Sequence, residues 1–418
     1  MDKNLIKSGI KKNFLGVVIA YFAAIALGIL VGVWQQEFLM TVVHFLSTVF
    51  IRLFKFLSIP IICVSIITSL STLSQNNESG RIFRHTIVYT LITTILAGSV
   101  AAILYVLFTP SDVAATGATD ISGKIGSHSY MDYLQNIVPD NFVTPFQTAN
   151  VLSVLLIAAA VGIAISKMPR DSKEQNLMIA FFKGCQQILF ILVNWLIFVL
   201  PIGIFAFVAT LAQEVSHGMS LGGLGTYFAL VIAANLIQMF IVLPCFLMLK
   251  GFNPLKVARG MLPALALAFF SKSSAATLPV TINSAEKNLK VNPKVAEFVL
   301  PLCTTINMNG CAAFIFLTVV YPMQNAGIDI TPGVVVAWIF ISTLAAIGNA
   351  GVPMGCFFLS ASLLASMNVP ILLMGVILPF YAVVDMIETT LNVWSDSTVA
   401  TVVDKDMKRL EEAAAHGS

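Results

Sequence analysis

Asp385-Met-Ile-Glu388-Thr389-Thr-Leu-Asn392-Val-Trp-Ser-Asp396 follows the stretch Ile371 to Val384, which is almost wholly apolar. Three carboxylates therefore sit inside what reads as a membrane span. Offsets of 0, +3, +4, +7 and +11 place Asp385, Glu388, Thr389, Asn392 and Asp396 within a stripe of roughly 100° on an α-helix. Such a stripe cannot face lipid, because an ionised side chain at mid-bilayer costs on the order of 3 kcal/mol or more. It must face protein, water, ions or substrate, and the rest of the chain is expected to wall it in.

The whole composition agrees with a membrane setting. Of 418 residues, 58% are hydrophobic and 10% charged, against about 25% charged in soluble domains. This is a polytopic, all-α membrane protein. The net charge of +3 is small and scattered, so nucleic acid is not an expected partner. Cys63, Cys185, Cys245, Cys303, Cys311 and Cys356 sit singly in apolar stretches without a C-x-x-C pair, and their placement reads as packing. The five histidines have no metal-ligand spacing. No cleaved signal peptide is expected: the basic start leads into Phe14 to Trp34, long enough to span and lacking a small-residue cleavage site.

Apolar runs of spanning length fall near 14–34, 38–74, 86–108, 146–166, 177–212, 225–249, 295–323 and 371–402, which predicts eight transmembrane helices. The second and fifth exceed a bilayer's need and imply tilt or a bend. Basic residues cluster at the N-terminus, at Arg81 and Arg84, at Lys167, Arg170 and Lys173, at Lys250, Lys256 and Arg259, and at Lys405, Lys408 and Arg409. The stretch from Thr109 to Ser129 carries Lys124 alone. The positive-inside rule then puts both termini in the cytoplasm and that stretch outside.

Two further apolar stretches are too interrupted to span. Met261 to Ala285 breaks at Ser271-Lys272-Ser273-Ser274, and Val334 to Ala365 breaks at Gly348-Asn349-Ala-Gly351-Val352-Pro353. Ten helical residues rise only about 15 Å, half a bilayer, so both predict re-entrant helical hairpins. The order hairpin, span, hairpin, span is an inverted-repeat pattern, the best sequence pointer to a secondary transporter's binding site.

The chemistry of the polar positions suits a zwitterion and a hard cation. Asp385 matches an ammonium; Ser273 and Ser274, at half-helix ends, match a carboxylate. Asn307, beside Asn309-Gly310, offers an amide oxygen, and Asn392 and Asp396 add oxygens of the kind that hold Na⁺.

These motifs carry a resemblance. Ser271-Lys-Ser-Ser-Ala-Ala-Thr-Leu-Pro-Val-Thr281, Thr305-Ile-Asn-Met-Asn-Gly310, Gly348-Asn-Ala-Gly-Val-Pro353 and Asp385-x-x-x-Thr389-x-x-Asn392-x-x-x-Asp396 resemble the dicarboxylate/amino acid:cation symporter family, the glutamate transporter homologues. The resemblance covers nearly the whole chain. It implies a homotrimer working as an elevator-type transporter in a bacterial inner membrane. Scaffold segments would be 1–75 and 111–215, the mobile transport domain 76–110 and 216–404, and 405–418 a cytoplasmic tail, with the second hairpin as gate. It further implies substrate contacts at Ser273, Ser274, Val352, Asp385, Thr389 and Asn392. One sodium site would use Asn307, Asn392 and Asp396. A second would use main-chain carbonyls around Thr305, Met308, Ala346, Ile347 and Asn349, and a third would involve the Tyr89-Thr-Leu-Ile-Thr93-Thr94 run.

Two positions depart from the acidic-substrate pattern. Glu388 stands where those members carry Arg, and a carboxylate there repels a substrate carboxylate. Bacterial sodium-coupled serine/threonine symporters look similar at this point. Glu388 is expected either to accept a hydrogen bond from a substrate hydroxyl or to be neutralised by Lys272. Asn309 stands where many members have Asp, which argues for two sodium ions per cycle rather than three. The expected activity is thus sodium-coupled import of a small neutral amino acid, serine or threonine first. Uptake of lysine, arginine or cystine, or coupling to protons, is the rival. An intramembrane aspartyl protease is disfavoured, since Asp385 and Asp396 lie about 16 Å apart along one helix.

Overall fold

The structure is a computed structural model and describes residues 20–71, 80–112, 138–148, 151–169, 172–217, 222–349, 354–367, 369 and 372–416. The described residues form helices and their connections, with no strand among them. In chain order the helices are α1 (Ala20–Trp34), α2 (Glu37–Ser71), α3 (Gly80–Leu107), a single turn α4 (Thr144–Gln147), α5 (Val151–Lys167) and α6 (Lys173–Ser216). There follow α7 (Gly222–Ile237), a π-turn (Gln238–Val242), α8 (Leu243–Leu249), α9 (Pro254–Ser271), α10 (Ser274–Leu289), α11 (Pro293–Ile306) and α12 (Asn309–Asn325). The chain ends with α13 (Pro332–Gly348), α14 (Gly355–Ser366) and α15 (Leu372–His416).

Among the described residues the predicted apolar runs lie in helices, with 225–249 and 295–323 each divided between two. The first predicted hairpin is a packed helix pair, α9 with α10. The arms of the second, α13 and α14, each pack on α12, and the residues between them at 350–353 lie outside the described residues. Four stretches among the described residues are long and apolar enough to cross a membrane: Gly80–Leu107, Lys173–Val193, Gly223–Leu249 and Pro293–Asn325. The two over-long runs carry an internal proline, Pro60 in α2 and Pro201 in α6. α15 continues through the segment expected as a tail and ends at His416.

Local chemistry sets the boundaries. Asn253, Asn292 and Thr331 each precede a proline, and their side chains accept from the first free backbone N–H groups of α9, α11 and α13. A polar cap followed by proline is a strong helix start, because proline's missing N–H would have had no partner there anyway. The tip of the first hairpin is two residues long. Lys272 turns the chain in the left-handed region (φ 53°), and the Ser273 hydroxyl caps α10 by accepting from Ala276 N at 3.2 Å. The span formed by α11 and α12 breaks at Asn307 and Met308, whose ψ values of 69° and 67° lie outside the helical region.

Burial divides the helices. α12 is buried on every side from Asn309 to Met323, as an all-round apolar helix must be in a core. It packs on α3, α13, α14 and α15, while α9, α10 and α11 enclose the rest of α15. α2 lies along α5 and α6, and these helices expose large apolar groups such as Phe45, Phe56, Ile188, Trp195 and Phe198. An apolar surface of that extent belongs against lipid or protein rather than water.

One expectation fails in this core. Cys311 and Cys356, taken as separate packing residues, are joined as a disulfide, with Cα atoms 5.6 Å apart. They are forty-five residues apart in sequence, so nothing local announces the pairing. The fold brings the first turns of α12 and α14 together.

Candidate functional site

The carboxylate stripe is buried. Asp385, Glu388, Thr389, Asn392 and Asp396 are all under 10% exposed, although α15 carries them in an otherwise apolar interior. What lets them stay there is the break opposite. At Gly310 an added Cβ would stand 2.8 Å from Glu388 Cα and 2.9 Å from Asn235 Oδ1, so only glycine permits α12 to approach α15 this closely. Gly310 N donates to Asn392 Oδ1 at 2.9 Å across that contact.

Below the break lies a polar knot. Asn307 Nδ2 donates to Asp396 Oδ1 at 3.0 Å and to Ser395 Oγ at 2.9 Å. Thr93 Oγ1 donates to Asn307 Oδ1 at 3.2 Å. Asn309 Nδ2 lies against three oxygens: Ser395 Oγ at 2.8 Å, Asn307 Oδ1 at 2.9 Å and Thr93 Oγ1 at 3.4 Å. Asn309 Oδ1 in turn accepts from Gln238 Nε2 at 2.8 Å, which also donates to the Thr93 carbonyl at 3.0 Å. The π-turn that begins at Gln238 delivers this side chain, and Trp394 Nε1 fastens α15 to the same turn through the Met239 carbonyl at 3.1 Å.

Above the break is a cavity of about 20 Å³, lined by Lys272, Ser274, Met308, Cys311, Asn349, Cys356, Asp385, Glu388, Thr389 and Asn392. That volume is about what one water needs, too little for an amino acid as the side chains stand. Tyr381 donates to Glu388 Oε2 at 3.2 Å, while Glu388 Oε1 and Asn349 Oδ1 are buried without a hydrogen-bond partner. Buried acceptors of that kind are uncommon and mark places where a ligand, ion or water is taken up.

The sequence-derived residues fall into three groups. Ser274, Met308, Asn349, Asp385, Glu388, Thr389 and Asn392 line the cavity together, and Asn307, Asp396 and Thr93 share the knot. Others have their side chains engaged elsewhere: Ser273 caps α10, Thr305 bonds to the Leu302 carbonyl, and Thr94 bonds to the Thr90 carbonyl. Ala346 accepts from Asn349 N at the end of α13, Ile347 is half-buried beside it, and Val352 lies outside the described residues. The partner shown for Glu388 is Tyr381, while Lys272 lines the same cavity beside Asp385. Sequence reasoning missed Asn235, Gln238, Tyr381, Ser395 and the two cysteines. Gln238 had a signal, as a polar side chain amid the apolar run 225–249.

A model of the sodium:dicarboxylate symporter family matches residues 17–406. The chain belongs to that family. A Caenorhabditis elegans protein named as a sodium-dependent excitatory amino acid transporter is 29% identical, over 94% of this chain and 88% of its own length. Human excitatory amino acid transporter 3 is 27% identical over 97% of this chain and 88% of its own. Human neutral amino acid transporter B(0) is 27% identical over 86% and 73%. As a member of the sodium:dicarboxylate symporter family, the chain is a multi-pass membrane transporter coupled to sodium and handling amino acids, not an enzyme.

Proposed function

We propose that this symporter imports a small neutral amino acid, serine or threonine first, together with two sodium ions. The observation that carries the reading is Glu388, buried in the cavity with a free carboxylate oxygen where an acidic substrate would need a cation. Asp385 takes the substrate ammonium, and the α10 N-terminus at Ser274, with Lys272, takes its carboxylate. Glu388 Oε1 then accepts from the substrate hydroxyl. An acidic side chain would instead meet a second carboxylate at low dielectric.

The knot supports the ion count. Asn307, Asn392 and Asp396 supply side-chain oxygens for one sodium, and main-chain carbonyls of the Thr305 to Met308 and Ala346 to Asn349 segments supply another. At the Thr93 position an amide already stands: Asn309 Nδ2 donates its two hydrogens to Asn307 Oδ1 and Ser395 Oγ and lies 3.4 Å from Thr93 Oγ1. With a neutral amide at Asn309 in place of a carboxylate, no charge is supplied there for a third ion, and two ions remain.

The small cavity and the packing support alternating access. α13 and α14 cover the cavity and act as gate when the Cys311–Cys356 bond that ties α14 to α12 is reduced. α3 and α7 to α15 form a transport domain that moves against a scaffold of α1, α2, α5 and α6 within a homotrimer, as an elevator. The placement is a bacterial inner membrane, both termini cytoplasmic, with eight spanning helices.

Purified protein in liposomes with an imposed sodium gradient tests the substrate. Serine uptake should be competed by threonine and alanine and little affected by aspartate or glutamate. Strong competition by lysine, arginine or cystine would favour a cationic or larger zwitterionic substrate. Uptake that persists with choline in place of sodium, driven by pH, would favour protons as the coupling ion.

A further inference from the structure

We propose that Cys311, Cys356 and Glu388 form, when the two sulfurs are reduced, a binding site for a thiophilic divalent cation such as Zn²⁺. One ligand atom from each of the three buried residues lies within 4.8 Å of the others. Around a tetrahedral Zn²⁺, with Zn–S near 2.3 Å and Zn–O near 2.1 Å, neighbouring ligand atoms stand roughly 3.6 Å apart. Shifts of about an ångström therefore close the site.

The surroundings are those of a built site rather than a chance cluster. Glu388 Oε2 is held by the Tyr381 hydroxyl at 3.2 Å, which leaves Oε1, buried and without a partner, as the free ligand atom. Asn349 Nδ2 donates to Cys311 Sγ at 3.1 Å and to Cys356 Sγ at 3.2 Å, and Asn392 Nδ2 reaches Cys311 Sγ at 3.5 Å. Outer partners that orient each ligand are a regular feature of metal sites. The adjoining cavity of about 20 Å³ has room for one water as a fourth ligand.

The three ligands come from three helices. Cys311 is the third residue of α12, Glu388 lies on α15, and Cys356 is the second residue of α14, just past the tip of the second hairpin. A cation shared among them staples that hairpin to the helices beneath it. Resting on the proposed transport reading, the staple would hold the substrate cavity shut and compete with serine for Glu388. The binding itself does not depend on that reading.

The test uses the full-length protein in nanodiscs, reduced with a water-soluble phosphine that is then removed. In that step the phosphine becomes its oxide, and one water provides the oxide's oxygen and the two thiol protons. Cd²⁺ is added as the probe, and the ultraviolet thiolate-to-cadmium charge-transfer band is followed; each bound ion displaces the two thiol protons. One equivalent of Cd²⁺ should bind to the reduced wild type, with Zn²⁺ displacing it. The band should vanish on re-oxidation and in Cys356→Ser, and the affinity should fall in Glu388→Gln by at least the roughly 10-fold that losing even an outer-shell partner costs. Thermal unfolding confirms that each variant is folded. No band in the reduced wild type, or an undiminished band in Cys311→Ser/Cys356→Ser, overturns the site. If the band behaves as expected but Zn²⁺ leaves serine uptake unchanged, the site stands and the gate reading fails.

Discussion

Two helices face each other across the centre of this protein and solve one problem in opposite ways. The span made of α11 and α12 interrupts its backbone at Asn307 and Met308, while α15 runs unbroken from Leu372 to His416. The broken span presents amides and main-chain carbonyls, which carry no net charge to desolvate. The continuous one stays helical, even through Pro379, and presents carboxylates instead. Neutral dipoles are tolerated in an apolar interior far more cheaply than ions, so the charges sit where an arriving cation or ammonium can neutralise them. Losing a side chain from α15 should therefore abolish a binding event, whereas changing the broken span should alter geometry and ion count.

The largest effect is expected at Asp396. In Asp396→Asn the side chain can still accept from Asn307, now at 3.0 Å, so the fold should survive. Sodium affinity should drop about 100-fold, since the charge of the ligand set governs the binding of hard cations. Sodium-dependent thermal shifts measure this; a wild-type sodium midpoint would mean that Asp396 does not face the ion.

Next comes the contact between the two helices. Gly310→Ala forces a Cβ to within 2.8 Å of the α15 backbone. Overpacking of that kind costs about 1–3 kcal/mol, and here it should also push Asn392 away from Gly310 N. Chemical unfolding and serine binding should both weaken. Loss of binding with unchanged stability would show that α12 can yield without strain.

Selectivity follows from α15. Glu388→Arg should weaken serine binding and admit aspartate or glutamate, read as a reversal in uptake competition. Unchanged selectivity would place Glu388 outside the substrate's reach.

Much of this arrangement was legible beforehand, and the reason is energetic. Charges within an apolar run cannot face lipid, so the 385–396 stripe announced a buried polar cluster from spacing alone. The breaks at Ser271–Ser274 and Gly348–Pro353 likewise announced interrupted helices, but the arms are longer than the ten residues expected: α9 has 18 residues and α13 has 17. Contacts between remote segments were not legible. Cys311 and Cys356 each look like packing residues in isolation, and only the meeting of α12 with α14 joins them. Gln238 is similar: its role depends on a π-turn that no local pattern marks. The hydroxyls of Thr94, Thr305 and Ser273 carry motif identity but are used by their own segments, a use that spacing does not reveal.

Asn309 sharpens the ion count. Its amide donates to Asn307 and Ser395 oxygens beside Thr93 Oγ1, so Asn309→Asp replaces a donor with acceptors and leaves an all-oxygen cluster. A cation is the natural remedy for facing acceptors. The sodium-to-serine stoichiometry, read from reversal potentials in liposomes, should rise from two to three. A wild-type value of three would end the two-ion reading.

The smallest effect separates two roles for Ser273. Its hydroxyl caps α10, and capping is what Ser, Asn and Asp share. Ser273→Ala should cost about 1 kcal/mol of stability through the lost cap. Ser273→Asn should restore that stability, because its side-chain oxygen can reach the same N–H. If the hydroxyl only caps, serine affinity recovers together with stability in the Asn variant. If it also touches substrate, stability returns while serine affinity stays low, since the larger amide intrudes beside Ser274. Measuring both quantities on both variants decides whether the first hairpin tip acts through its shape or through its hydroxyl.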